Sequence, residues 1–198
     1  MRLADDIRPM ANFMALLRDK EGRVDPDSIR RGHNVFTTSG RNWLSKLVGW
    51  FDLSVSPDDP FTNRRIRWMG VGTGSQAEVT NVTALQNAVQ VTTSPDNFLK
   101  PISSVAFPTS TSVRFITVFG TTEVSEFAPV IVTEAGLFAD VEPFNFVTGG
   151  EGEEDTVGSG TSVLDTDSGT NPPAAYKSFD PITKTQDFTL ELRWDLRF

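Results

Sequence analysis

The chain has no cysteine, one histidine and one tyrosine among its 198 residues. Without cysteine, disulfides, thiolate nucleophiles and Cys-based zinc sites are excluded. With His33 the only imidazole, any Ser-His-Asp triad would have to be built on it. His33 stands among Arg30, Arg31 and Asn34, and no G-x-S-x-G nucleophile elbow occurs. A polar surface or interface role is expected for it. No apolar run approaches the ~20 residues needed to span a bilayer. The first residues carry Asp5 and Asp6 and no apolar core, so no secretory signal is expected and synthesis in a cytoplasm is. Basic charge is scarce too: 18 Lys and Arg face 26 Asp and Glu, for a net charge of -8. Phosphate binding draws on clustered Lys and Arg, and the runs Arg30-Arg31 and Arg64-Arg65-Ile66-Arg67 are short. Neither nucleic acid nor membrane is an expected partner.

What the chain does have is phenylalanine, 15 copies against the single tyrosine. That balance points to a core stacked with Phe. Residues 1 to about 52 read as helical. Ile7, Met10, Met14 and Leu17 recur at helical spacing beside Phe13. Glu21-Gly22 serves as a stop, and Asp25-Pro26-Asp27-Ser28 opens a second short helix. Thr38 or Ser39 would cap a third, with Trp43, Leu44, Leu47, Val48 and Phe51 as its apolar stripe. Ser54 to Asn63 is a turn-rich linker. A strand over Arg65–Val71 follows, with Ile66 and Trp68 on one side, and ends in Gly70-Val71-Gly72-Thr73-Gly74. A helical turn is expected at Ala84–Val89.

The second half reads as β. Ser112–Phe119 is a strand with Val113, Phe115 and Phe119 on one face and Ile116 and Val118 on the other. That two-sided apolarity predicts cover on both faces or a subunit contact. Val130–Val132 and Ala135–Ala139 form another, with a bulge near Glu134. From Phe188 to Phe198, Phe188, Leu190, Leu192, Trp194, Leu196 and Phe198 alternate with polar residues, as a half-buried strand requires. Gly149–Pro173 is rich in Gly, Ser, Thr, Asp and Glu and cannot bury enough apolar surface to offset its ordering entropy. It is expected to be a flexible acidic loop.

Motifs of chemistry are few. The glycines at 70, 72 and 74 match neither the G-x-G-x-x-G dinucleotide loop nor a Walker loop, since Ser75 and Gln76 stand where those need Gly or Lys. They read as a turn leaving a strand. Asp165-Thr166-Asp167-Ser168-Gly169 places its glycine fifth rather than sixth for a calcium loop, with Tyr176 at the twelfth position. No cofactor or metal is expected. Glu134 is different: it lies among apolar residues, where a carboxylate must be paired or hydrogen-bonded. Arg114 or Arg193 is the expected partner, and the role architectural.

The order of these pieces carries a resemblance. Gly40-Arg41-Asn42-Trp43-Leu44-Ser45-Lys46-Leu47 is followed by Gly72-Thr73-Gly74, Thr83-Ala84-Leu85-Gln86, Glu134-Ala135-Gly136-Leu137-Phe138, Pro181-Ile182-Thr183-Lys184-Thr185 and the closing strand through Trp194 to Phe198. Over roughly residues 34–198, the acidic loop excepted, this resembles a family of small tailed-bacteriophage virion structural proteins. The resemblance implies a non-enzymatic neck, collar, tail, baseplate or fibre-attachment subunit, assembled in the host cytoplasm and working through contacts with other virion proteins and copies of itself. It implies no catalytic residues. The expected fold is α+β, mainly β: an antiparallel β-sandwich-like domain over 54–198, carrying an N-terminal helical arm and docking helices over 1–53. Phe13, Met14, Leu17, Trp43, Leu47 and Trp50 are the expected interface contacts, and Gly72, Gly74, Glu134, Gly136, Trp194 and Phe198 the structural positions. A host-receptor or glycan-binding module is the alternative, disfavoured by the near absence of tyrosine and the core-like spacing of the Trp residues. A tail-associated hydrolase is the third reading, and a glycosidase of that kind would need a placed pair of carboxylates.

Overall fold

A computed structural model describes residues 10–41, 44, 66–93, 96–125, 128–139 and 169–197. The chain is mainly β, and its described residues form two antiparallel five-stranded sheets and a small hairpin. The strands are β1 (Met10–Arg18), β2 (Val24–His33), β3 (Val35–Phe36), β4 (Ile66–Gly72), β5 (Thr92–Thr93), β6 (Asp96–Asn97), β7 (Leu99–Pro101), β8 (Ser104–Thr109), β9 (Ser112–Phe119), β10 (Val130–Ala139), β11 (Ala175–Lys184) and β12 (Thr189–Arg197). The first sheet has the order β2-β1-β12-β9-β8 and the second β3-β11-β10-β4-β7; β5 and β6 form the hairpin.

The closing strand β12 occupies the centre of the first sheet, and its alternation is the one expected. Leu190, Leu192, Trp194 and Leu196 are buried, while Arg193 and Asp195 are half-buried and Arg197 exposed on the other face. β9 lies on one side of it, from Ser112 to Phe119 as the pattern predicts. Phe115, Thr117 and Phe119 point into the core, whereas Ile116 and Val118 are only half-buried on the outer face.

The other neighbour of β12 is β1, and here the sequence expectation is corrected. Residues 10–18 and 24–33 are strands, not helices, and Asp19–Arg23 is a hairpin turn with Gly22 at a φ of 80°. In Met10–Arg18 nearly every residue is apolar, so Phe13 and Leu17 satisfy a period of two through Ala15 as well as a period near four. Tertiary context decides. Alignment with β12, from Met10 opposite Arg197 to Arg18 opposite Thr189, satisfies the free edge of a strand already committed to the core. Asp25 and Ser28 act inside β2 and not as a helix cap: Ser28 Oγ accepts from Leu17 N at 2.8 Å and donates to Asp25 O at 2.6 Å. This bridges the register break between Ala15 and Leu17. Of the third expected helix, Thr38–Arg41 and Leu44 are helical. Trp43, Leu47 and Trp50 lie outside the described residues, as do Phe198, the 54–63 linker and most of the acidic loop.

One hydrophobic cluster joins the inner faces of both sheets. Phe13, Leu17, Phe115, Phe119, Leu192 and Trp194 come from the first, and Met69, Val71, Val132, Leu137, Ala175 and Ile182 from the second. Phe13 is sandwiched between Phe179, stacked at 5.1 Å, and Trp194, edge-on at 5.0 Å. Phe13 and Leu17 are thus core residues, at 2% and 4% exposure, and not free interface contacts. Met14, on the outer face, is half-buried.

Two bulges set the phase of the second sheet. The one expected near Glu134 falls between Val132 and Glu134 in the β10–β11 ladder, so that Val132 and then Ala135 and Leu137 face the core. The other, at Arg67 in the β4–β10 ladder, puts Ile66 and Trp68 on opposite faces rather than on one. Trp68 then packs with Phe138 on the outer side. We expect Phe13→Ala to lower the stability of the isolated chain by about 3–5 kcal/mol, as for a fully buried aromatic, read by urea denaturation. A loss below about 1 kcal/mol, typical of a surface site, would contradict this placement.

Candidate functional site

The bulge in β10 turns Glu134 away from the main core and onto the outer face of the second sheet. The stretch after β4 folds back over that face and covers it. Val82 and Leu85 from this stretch, Leu99, Phe138 and Tyr176 form a second apolar cluster, and Glu134 sits beneath the same cover at 0% exposure. Instead of the expected helical turn at Ala84–Val89 there is a turn at Gln86–Asn87 and a bridge from Ala88 to Gly72.

Among the described residues Glu134 has no arginine partner. Arg114 is held by Asp195 through two bonds of 2.6 and 2.7 Å, and Arg193 Nε donates to Glu191 Oε1 at 2.5 Å, both on the other sheet. Backbone amides take the place of the cation. Gly74 N and Asn87 N donate to Oε1 at 3.1 and 2.9 Å, and Gln86 N to Oε2 at 3.1 Å. The fourth donor is the Tyr176 hydroxyl, 2.9 Å from Oε2. Burial first, and then the Glu134 charge, push the Tyr176 phenol far above its ordinary pKa, so it stays a donor. A carboxylate accepting several backbone N–H bonds satisfies the burial requirement without a salt bridge.

This geometry explains three residues singled out in the sequence and one that was missed. A Cβ on Gly74 would stand 2.5 Å from Glu134 Oε1, and one on Gly72 would also run into that oxygen. The two glycines let backbone close on the carboxylate. A Cβ on Gly136 would fall 2.7 Å from the Phe138 ring. Tyr176, the missed member, is the chain's only tyrosine; a hydroxyl is required at a position that phenylalanine would otherwise fill. The Gly-Thr-Gly, Ala-Leu-Gln and Glu-Ala-Gly motifs, far apart in the sequence, are one cluster. Around it Thr133 Oγ1 donates to Gly74 O at 2.5 Å, Ser75 N to Gln86 Oε1 at 2.8 Å and Gln76 Nε2 to Ala84 O at 2.7 Å. Both carboxylate oxygens are occupied in fixing backbone, which is an architectural task.

A second buried charge lies on β11. Lys184, also at 0% exposure, donates to Thr121 O at 3.0 Å, Ser125 Oγ at 3.1 Å and Thr185 O at 2.9 Å. Burial pushes its ammonium down to about 8, against the pull of Glu123. The loop it grips contains Val124 at a φ of 69°, a strained conformation for a β-branched residue.

The outer face of the first sheet carries a lattice of ion pairs. Glu191 receives Arg18 Nε at 2.6 Å and Arg193 Nε at 2.5 Å. Burial alone would raise the Glu191 carboxyl, but these two bonds outweigh it and hold it low. Trp194 is buried on the opposite face, and His33 is exposed at the end of β2. Among the described residues no group of three or more His, Asp or Glu is placed to hold a metal ion. No protein-family model, curated protein or solved structure matches the chain.

Glu134→Gln puts an amide N–H₂ against donors. We expect a loss of about 1–3 kcal/mol for each donor orphaned, with faster hydrogen exchange at the amides of Gly74, Gln86 and Asn87. Unchanged protection at those amides would contradict the network. For Lys184, a folded pKa near 8 below the ordinary 10.5 means that the folded state binds fewer protons in that window. Stability therefore rises with pH between the two values. Tyr176 acts oppositely, but only above its ordinary 10.0. Urea midpoints measured from about pH 7 to about pH 9.5 should climb, and Lys184→Met should flatten the climb.

Proposed function

We propose that this chain is a structural or adaptor subunit of a tailed-bacteriophage particle, at the neck, collar, tail, baseplate or fibre attachment, and that it works through contacts with other virion proteins and with copies of itself. The observation that carries the proposal is where the resemblance motifs go. The residues of Gly72-Thr73-Gly74, Glu134-Ala135-Gly136 and the Trp194 strand are all occupied in holding backbone and core together. A motif set whose atoms are committed to architecture supports a building block.

The two sheets, joined face to face by one apolar cluster, support a β-sandwich form for this subunit. Of the helical docking elements, helix is described at Thr38–Arg41 and Leu44. Trp43, Leu47 and Trp50 remain proposed partner contacts.

The test is mass spectrometry and cryo-EM of purified particles from the source of this sequence. The proposal expects the chain in the particle, with its density repeated around a ring or cluster. Particles that lack the chain would overturn it and favour an assembly factor or an enzyme.

A further inference from the structure

Asp-Pro bonds occur in the sequence at 25–26, 59–60 and 180–181. Such a bond holds two of the parts needed to break itself. The aspartate carboxyl can close onto its own carbonyl carbon as a cyclic anhydride, and the proline nitrogen departs as a secondary amine. What it lacks in an unfolded peptide is a fixed donor at the carbonyl oxygen, where negative charge develops. Asp59–Pro60 lies outside the described residues. In β2, Asp25 has both of its groups in use: Oδ1 accepts from Asp27 N at 3.1 Å, and the carbonyl oxygen accepts from the Ser28 hydroxyl at 2.6 Å.

Asp180–Pro181 is placed differently. In the β10–β11 ladder Val132 pairs with Ile182 and Glu134 with Ser178, so Phe179, Asp180 and Pro181 stand against Thr133 alone. A bulge accepts proline where a regular ladder would not, and this one leaves Asp180 and Pro181 exposed to water. It is held from both sides. The Phe179 ring stacks on Phe13 at 5.1 Å. From β2, Arg30 Nε donates to Asp180 O at 3.1 Å and Nη2 to Pro181 O at 2.8 Å, while Nη1 donates to Asp27 O at 2.7 Å. A guanidinium charge therefore rests on the carbonyl oxygen of the Asp-Pro bond. Among the described residues the Asp180 carboxyl itself makes no hydrogen bond or ion pair.

We propose that Asp180–Pro181 is a self-cleaving peptide bond, with the Asp180 carboxyl as nucleophile and Arg30 as the donor to the oxyanion. A carboxyl oxygen of Asp180 attacks the Asp180 carbonyl carbon, and the carbonyl electron pair moves onto the oxygen that Arg30 holds. When that pair returns, the bond to Pro181 N breaks. Pro181 N takes the carboxyl proton and leaves as a free amino terminus. Water then opens the anhydride to the two carboxyls of Asp180. The sum is hydrolysis of one peptide bond, with water as the co-reactant. A fixed bulge and a donor already in place supply the ordering that a flexible chain would have to find. The cut leaves the pieces 1–180 and 181–198. β12, in the smaller piece, is paired with β1 on one side and β9 on the other, so the product is a nicked fold and not a released fragment. The inference is independent of the assembly reading above.

Intact-mass spectrometry of the full chain, denatured after incubation at a mildly acidic pH where circular dichroism shows it folded, tests the proposal. A piece ending at Asp180 and a piece beginning at Pro181 should accumulate. They should form about tenfold faster or more than the products of cleavage at Asp25–Pro26 in the same sample, and than the same cut in urea-unfolded chain, because only the folded bulge has its donor in place. Arg30→Met should slow the cut about a hundredfold, the usual loss for one oxyanion donor. Asp180→Ala, at an exposed position, should abolish it, which separates self-cleavage from a contaminating protease. A folded wild-type chain that stays whole, or is cut no faster than the unfolded one, would overturn the inference. So would a folded Asp180→Ala still cut there, or a folded Arg30→Met cut at the wild-type rate. If Arg30→Met does not fold, the comparison of folded and urea-unfolded wild type decides alone.

Discussion

A carboxylate buried with no cation beside it among the described residues constrains this fold more than any other group. Glu134 is fully enclosed, and an ionised group in such a place demands that both oxygens be filled. Three of its four donors are backbone amides, at Gly74, Gln86 and Asn87. At positions 72 and 74 a Cβ would strike the carboxylate, hence glycine at both. The amides belong to one connection, so satisfying the charge also lays that connection on the sheet. Its Val82 and Leu85 then have an apolar surface to cover. The bulge before Glu134 is the precondition, since without that shift the carboxylate would point into the main core.

The limits of the sequence are physical ones. β12, β9 and the bulge in β10 are legible because their side chains alternate between two unlike environments. β1 is not, because Ala11, Phe13, Met14, Ala15, Leu16 and Leu17 are nearly all apolar in a row, and period is lost when both faces are apolar. What makes β1 a strand is the free edge of β12, at the far end of the chain. β2 misleads for a related reason: Asp-Pro-Asp-Ser is a good helix start, and here Pro26 and the two aspartates protect a sheet edge instead.

The candidate site is legible in its members and not in its bonds. Gly72, Gly74, Glu134 and Gly136 stand out as letters, and they do meet. The partner cannot be read, because backbone amides have no letter of their own. The expected side-chain partners, Arg114 and Arg193, are held by Asp195 and Glu191 on the other sheet. The single tyrosine is the available signal. In a chain that otherwise uses phenylalanine, one added hydroxyl marks a place where a donor is needed.

Glu134 and Lys184 are two solutions to one problem. Among the described residues the chain has long connections and almost no helix to order them. Each buried charge pins one connection to the second sheet: the carboxylate gathers amides from 74–87, and the ammonium gathers oxygens from 121–125. Replacing a buried charge and its partners by apolar groups of the same shape often costs little stability, so stability alone does not account for them. What a charge adds is direction, since it accepts or donates along fixed lines and penalises every other arrangement of the loop. Val124 in its strained conformation lies in a segment held this way, and an apolar contact would let that residue relax. A buried charge thus fixes where each loop lies, which apolar burial alone leaves open.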